Sequence, residues 1–212
     1  MKSFFILFLI FAIIIAIISI TSMFLGDVYN YSIPGLEVIR YLFSFSIHIA
    51  LFSVAMIFLW KDKLSSTLIS LGVPGKIGNN IEYTLAGLFS IFVLLLVFGI
   101  IANALGFNDQ ENVTDKVNSL PFYLLIFAVL VAPITEELFF RAFLVPRVGI
   151  IFSSLLFGVL HASYGSVVEI IGAGVIGMVL AVVFKDSKSI TPCIAIHMLY
   201  NLVSIIVMKL II

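Results

Sequence analysis

The chain has 212 residues, 63% of them hydrophobic and 10% charged, against about 45–50% apolar and about 25% charged in soluble domains, so it reads as an integral membrane protein. Its formal net charge is zero and no basic block occurs, which speaks against nucleic acid as a partner. The single cysteine, Cys193, excludes an internal disulfide and a multi-cysteine metal site.

The hydrocarbon core is about 30 Å thick and a helix rises about 1.5 Å per residue, so about 20 apolar residues make a span. In chain order, spans are predicted near 4–25, 39–60, 83–105, 121–144, 149–162, 167–184 and 190–211. The expected fold is an all-α polytopic bundle of about seven spans. The first run, Phe4 to Leu25, exceeds the about 7–15 apolar residues of a secretory signal and reads as a retained span. Polar connectors such as "KDKLSST" and "GFNDQENVTDKVNS" separate the helices, with Gly, Asn and Asp marking loops. Residues 1–212 form one transmembrane domain in this reading, with a three-span part over 1–120 and a core over about 121–206. Lysine and arginine favour a cytoplasmic N-terminus: Lys2, Lys61, Lys63, Lys76, Arg147, Lys185 and Lys188 fall inside, with Arg40, Lys116 and Lys209 outside. In the sixth span, Ala173, Gly177 and Ala181 form a small-residue stripe for close helix packing.

The fourth span holds "VAPITEELFFRAFL", with Glu136, Glu137 and Arg141 in an otherwise apolar run. Each intramembrane charge costs about 2.5–3.5 kcal/mol on insertion scales, and each strongly apolar residue returns only about 0.3–0.6. A segment so charged is not a mere lipid-facing anchor; such groups face a bundle interior or a cavity. Glu137 and Arg141 stand four apart on one helical face in the favourable acid-before-base order, while Glu136 is turned about 100° away. Pro133 removes a backbone bond just before them and bends the segment. Glu137 is thus neutralised locally, and Glu136 needs another partner.

Two histidine motifs supply candidates. His161 ends "FGVLH", and His197 with Asn201 forms "HMLYN", again four apart on one face. A carboxylate and an imidazole together polarise a water. A second histidine and an amide NH2 donate to the oxyanion of an attacked carbonyl. Glu136 with His161 and His197 with Asn201 provide both halves, and the implied chemistry is amide hydrolysis. His48, in "YLFSFSIHIALF", has no acid nearby in its own span and reads as a packing or snorkelling residue. Glu169, near the start of the sixth span, reads as interfacial.

"EELFFR", "FGVLH" and "HMLYN", in this order and in separate spans, resemble the EExxxR, FxxxH and HxxxN motifs of the CPBP membrane proteases. That group includes the Ras-converting CAAX endopeptidase and bacteriocin-processing or self-immunity proteins. The resemblance implies Glu136 as catalytic glutamate, His161 as its partner on water, and His197 with Asn201 at the oxyanion. It implies support from Glu137, Arg141 and the motif residue Phe157. It implies no metal and no cofactor, a membrane-anchored or prenylated protein or peptide as substrate, and residence in a prokaryotic cell membrane. Only 25 positions separate Glu136 from His161, so the fifth span is short, and the two meet if that helix tilts. Two alternatives stand beside this reading. One is a zinc peptidase with Glu136, His161 and His197 as ligands, although no HExxH occurs. The other is a non-catalytic immunity or scaffold protein of the same fold.

Overall fold

The structure, a computed structural model, describes residues 36–60 and 77–211, with side chains over 45–57 and 78–210. The expected first span, 4–25, lies outside the described residues, as does most of the connector after the second.

Eight α-helices are described: α1 (Leu36–Trp60), α2 (Ile77–Ala104), α3 (Glu111–Ser119), α4 (Phe122–Leu130), α5 (Ala132–Glu137), α6 (Val145–Leu160), α7 (Val167–Ser187) and α8 (Thr191–Ile211). A π-helical stretch, Leu138–Leu144, joins α5 to α6, and a 3-10 turn, His161–Tyr164, follows α6. No strand occurs among the described residues. Gly78–Ala104, Phe122–Tyr164, Val167–Ser187 and Thr191–Leu210 are long and apolar enough to cross a bilayer. On α2, Leu85, Phe89, Leu96 and Ile100 point outward, each more than 60% exposed. Large apolar surface of that kind suits lipid and not water. The protein is an all-α, polytopic membrane protein.

The stretch Phe122–Tyr164 is not one rod. At Val131 the first run stops, and Pro133 opens the next helix at a position where its missing N–H is harmless. At Gly149 the backbone takes φ 83° and ψ 174° inside α6, a conformation that glycine adopts without a steric penalty. Ser153 Oγ then donates to the Phe140 carbonyl at 3.0 Å, across 13 residues. An unbroken helix would separate those residues by about 20 Å, so the chain folds back at Gly149 as two limbs. The expected break between 121–144 and 149–162 is therefore present, whereas the stop at Val131 divides a stretch expected as one span.

The returning limb packs closely on α7. A Cβ on Gly158 would lie 2.5 Å from the Ile170 carbonyl oxygen, so only glycine admits this approach. The small-residue stripe faces the same contact: Ala173 and Ala181 are buried, and Gly177 lies against Phe157 and Ser154. One core cluster joins Leu51 and Ala55 of α1 to Phe139, Phe140, Phe143 and Leu144 of the π-helical stretch, Phe157 of α6 and Ala173 of α7. A second lies between Ile91 of α2, Ile176 and Leu180 of α7 and Ile196 of α8.

Polar contacts gather at one end of the bundle. Asp109 accepts from the Ser166 hydroxyl at 2.7 Å and from the backbone amides of Val167 and Val168, closing the first turn of α7. Lys116 donates to the Ser163 carbonyl, Asn112 to Gly165 at 2.8 Å and Lys209 to Asn118 at 3.1 Å. The segments expected to share one membrane side through Lys116 and Lys209 do share one end.

Candidate active site

The two glutamates diverge as helix geometry requires. Glu137 is fully buried, and its Oε1 lies 2.9 Å from Nη1 of Arg141, itself 1% exposed. The guanidinium stacks on the Phe157 ring, 4.5 Å to the centroid, and approaches the Gly177 carbonyl at 3.4 Å. Phe157 thus holds a cation against its π-face, an interaction that strengthens away from water. The expected pairing of Glu137 with Arg141 is observed. Its setting in a π-helical stretch is the kind of local rewinding that concentrates at functional sites.

Glu136 faces a different environment. His48 Nε2 lies 3.8 Å from its Oε1, and His197 Nε2 lies 3.8 Å from its Oε2. Oε2 is buried and has no hydrogen-bond partner. The carboxylate is 15% exposed and sits between two imidazoles.

The partners of each histidine fix its tautomer. Thr135 donates its hydroxyl to the Ala132 carbonyl at 2.9 Å, so its oxygen is the acceptor for His48 Nδ1–H at 2.9 Å. Glu137, ion-paired and acceptor-only, takes Nδ1–H of His197 at 2.8 Å. The Phe157 carbonyl takes Nδ1–H of His161 at 2.8 Å. All three rings therefore commit Nδ1 as donor and leave Nε2 available.

His161 belongs to the same neighbourhood without touching Glu136. Its ring lies 4.8 Å from that of Phe157, and the His197 ring lies 5.7 Å from it on a T-shaped approach. Phe157 thereby spaces the two histidines and supports Arg141. No hydrogen bond or ion pair joins Glu136 to His161. Asn201 sits one turn beyond His197 and donates from Nδ2 to the Ala128 carbonyl at 2.9 Å, tying α8 to α4. One of its two amide donors is thereby used.

His48 is the residue that the sequence misassigns. It does pack edge-on against Phe127, 5.1 Å between centroids, but it also bonds Thr135 at 2.9 Å and lies 3.8 Å from Glu136, so packing is not its whole setting. It shares one face of α1 with buried Leu51 and Ala55, three and seven residues on. The available signal was its mere presence in a span, where an ionisable group is functional by default. Looking for an acid in the same helix misses a partner on another one.

The arrangement can polarise a water beside Glu136 and supply donors to a developing negative charge. As for metal, no group of three or more His, Cys, Asp or Glu side chains among the described residues is arranged to hold an ion.

Over 111 residues the chain is 33% identical to an uncharacterized protein of Mycoplasma capricolum subsp. capricolum, covering 46% of this chain and 33% of the relative. The matched part spans about a third of that relative's length. No solved structure matches the chain. Residues 118–203 match the family described as type II CAAX prenyl endopeptidase Rce1-like. That range, well under half of the chain, holds Glu136, Glu137, Arg141, Phe157, His161, His197 and Asn201, and over it the chain is similar to that family.

Proposed function

We propose that the protein is an intramembrane endopeptidase of the glutamate type, acting on a membrane-anchored or prenylated protein or peptide in a prokaryotic cell membrane. Glu136 takes a proton from a water that His161 orients, and the hydroxide adds to the scissile carbonyl carbon. His197, with Nδ1–H held on Glu137, donates from Nε2 to the oxyanion in its doubly protonated form. The second N–H of the Asn201 amide donates beside it. The intermediate then collapses, the C–N bond breaks, and the proton held by Glu136 passes to the leaving amine. Glu137, Arg141 and Phe157 keep this set in place. No step in this reading calls on a metal or a cofactor.

The observation that carries the proposal is the contrast between adjacent carboxylates. Glu137 is paired with Arg141 at 2.9 Å, whereas Glu136 has no cation beside it and an imidazole nitrogen 3.8 Å from each oxygen. The test incubates purified protein with paired prenylated and unprenylated peptides, with and without a strong chelator, beside Glu136→Ala, with products read by mass spectrometry. The expected result is cleavage by wild type in chelator and none by Glu136→Ala. Loss of cleavage in chelator with rescue by zinc would favour the zinc reading. Equal products from both proteins would sink the assignment.

A further inference from the structure

The geometry points to His48 as a positioning residue for Glu136, so that the site extends beyond the family-matching segment into α1. The inference rests on the peptidase reading above. Three observations support it. The Nδ1–H of His48 is pinned by Thr135, one residue before Glu136, and the Thr135 hydroxyl is in turn committed to Ala132. This chain leaves Nε2 aimed at Glu136 Oε1, opposite the approach of His197 to Oε2. Finally, α1 is seated by Leu51 and Ala55 in the core that surrounds the π-helical stretch, and by Phe45 and His48 against Phe127 of α4. The ring is placed by packing on one side and a hydrogen-bond chain on the other.

The charged and titratable groups acting on His48 are Glu136 of α5, His161 of the 3-10 turn and His197 of α8. When Glu136 takes the proton of water, its O–H has an acceptor in Nε2 of His48, which turns the carboxyl so that the proton is held until the amine leaves. No proton is consumed: one leaves water, rests on Glu136 and ends on the product amine. His48 thus acts through Glu136, by fixing the orientation of that carboxyl. Groups that orient a metal ligand by hydrogen bonding change activity by about 10–100-fold, and an effect of that size is expected for a group that orients Glu136.

Two readouts test the role. In ring-15N-histidine protein in lipid nanodiscs, His48 is expected as the Nδ1–H tautomer, and Glu136→Gln is expected to shift its Nε2 resonance and its titration midpoint. Thr135→Val is expected to abolish the single tautomer. In the peptide assay, His48→Ala is expected to lower kcat by about 10–100-fold with KM little changed and to move the acid limb of the kcat profile. His48→Gln, which keeps an acceptor near the Nε2 position, is expected to recover part of the rate but not the wild-type profile. A His48 resonance indifferent to Glu136→Gln overturns the inference, as does a His48→Ala profile and kcat equal to wild type. If wild type cleaves nothing while the spectroscopic coupling is present, the peptidase reading fails and the placement of His48 on Glu136 stands.

Discussion

Glu136 and Glu137 are neighbours in sequence and occupy two unlike regions of the molecule. The Glu137 side is sealed: a buried guanidinium at 2.9 Å, the His197 ring at 2.8 Å, and the Phe157 face beneath the cation. The Glu136 side is a slot between His48 and His197, each 3.8 Å away, with no guanidinium beside the carboxylate. One helix step of about 100° separates a carboxylate paired with a guanidinium in the core from one set between two imidazoles. Two acids in tandem are therefore not redundant.

Breaking the sealed side is expected to have the largest effect. Arg141→Met leaves Glu137 buried without its cation, which costs about 3–5 kcal/mol, measured as a lowered unfolding midpoint in detergent. Replacing both partners by apolar residues, Glu137→Leu with Arg141→Met, recovers most of that loss without restoring cleavage, because His197 has lost its acceptor. Next comes the open side: Asn201→Ala removes the proposed oxyanion donor and is expected to lower kcat by about 100–1,000-fold, read in the peptide assay. If only the tie to Ala128 mattered, unfolding would move and kcat would not.

Gly158→Ala tests whether the two sides depend on the returning limb. Its Cβ meets the Ile170 carbonyl at 2.5 Å, and overpacking of this kind costs about 1–3 kcal/mol. The displaced limb carries Phe157 and His161, so unfolding and cleavage fall together. The smallest effect lies outside the membrane, at a third carboxylate. Burial pushes the Asp109 carboxyl up, but the Ser166 hydroxyl and the Val167 and Val168 amides outweigh it and hold it below its ordinary value. Its contribution is thus complete above about pH 4, where the unfolded carboxyl is also ionised, and is lost as pH falls through the depressed folded value. Hydrogen exchange at Val167 and Val168 is expected to quicken in acid for wild type and to be insensitive to acid over that range in Asp109→Asn.

Much of the described fold was legible because membrane helices announce themselves by length and composition. Helices begin or end close to the expected bounds in α1, α2, α7 and α8, and the break at Gly149 falls where the short fifth span was expected to start. Helical periodicity alone gave the Glu137–Arg141 pair, since both residues lie on one helix. The shortened connector proved sufficient to return the chain: Phe157, one turn before His161, reaches Arg141. What could not be read was the placement of side chains between helices. His48 sits in a run so uniformly apolar that no stripe distinguishes its buried face. Its partners, Thr135 and Glu136, are almost ninety positions away. The π-helical winding of Leu138–Leu144, whose Phe139, Phe140 and Phe143 all lie in one core, also left no local mark in the sequence.

The division of labour between the two glutamates is tested most directly by cleavage rates of Glu136→Gln and Glu137→Gln, each measured beside its thermal unfolding in the same lipid nanodiscs. The account predicts that Glu136→Gln unfolds where wild type does and loses cleavage by at least about 1,000-fold, while Glu137→Gln unfolds well below wild type. Wild-type cleavage by Glu136→Gln, or a Glu137→Gln protein as stable as wild type, would contradict it.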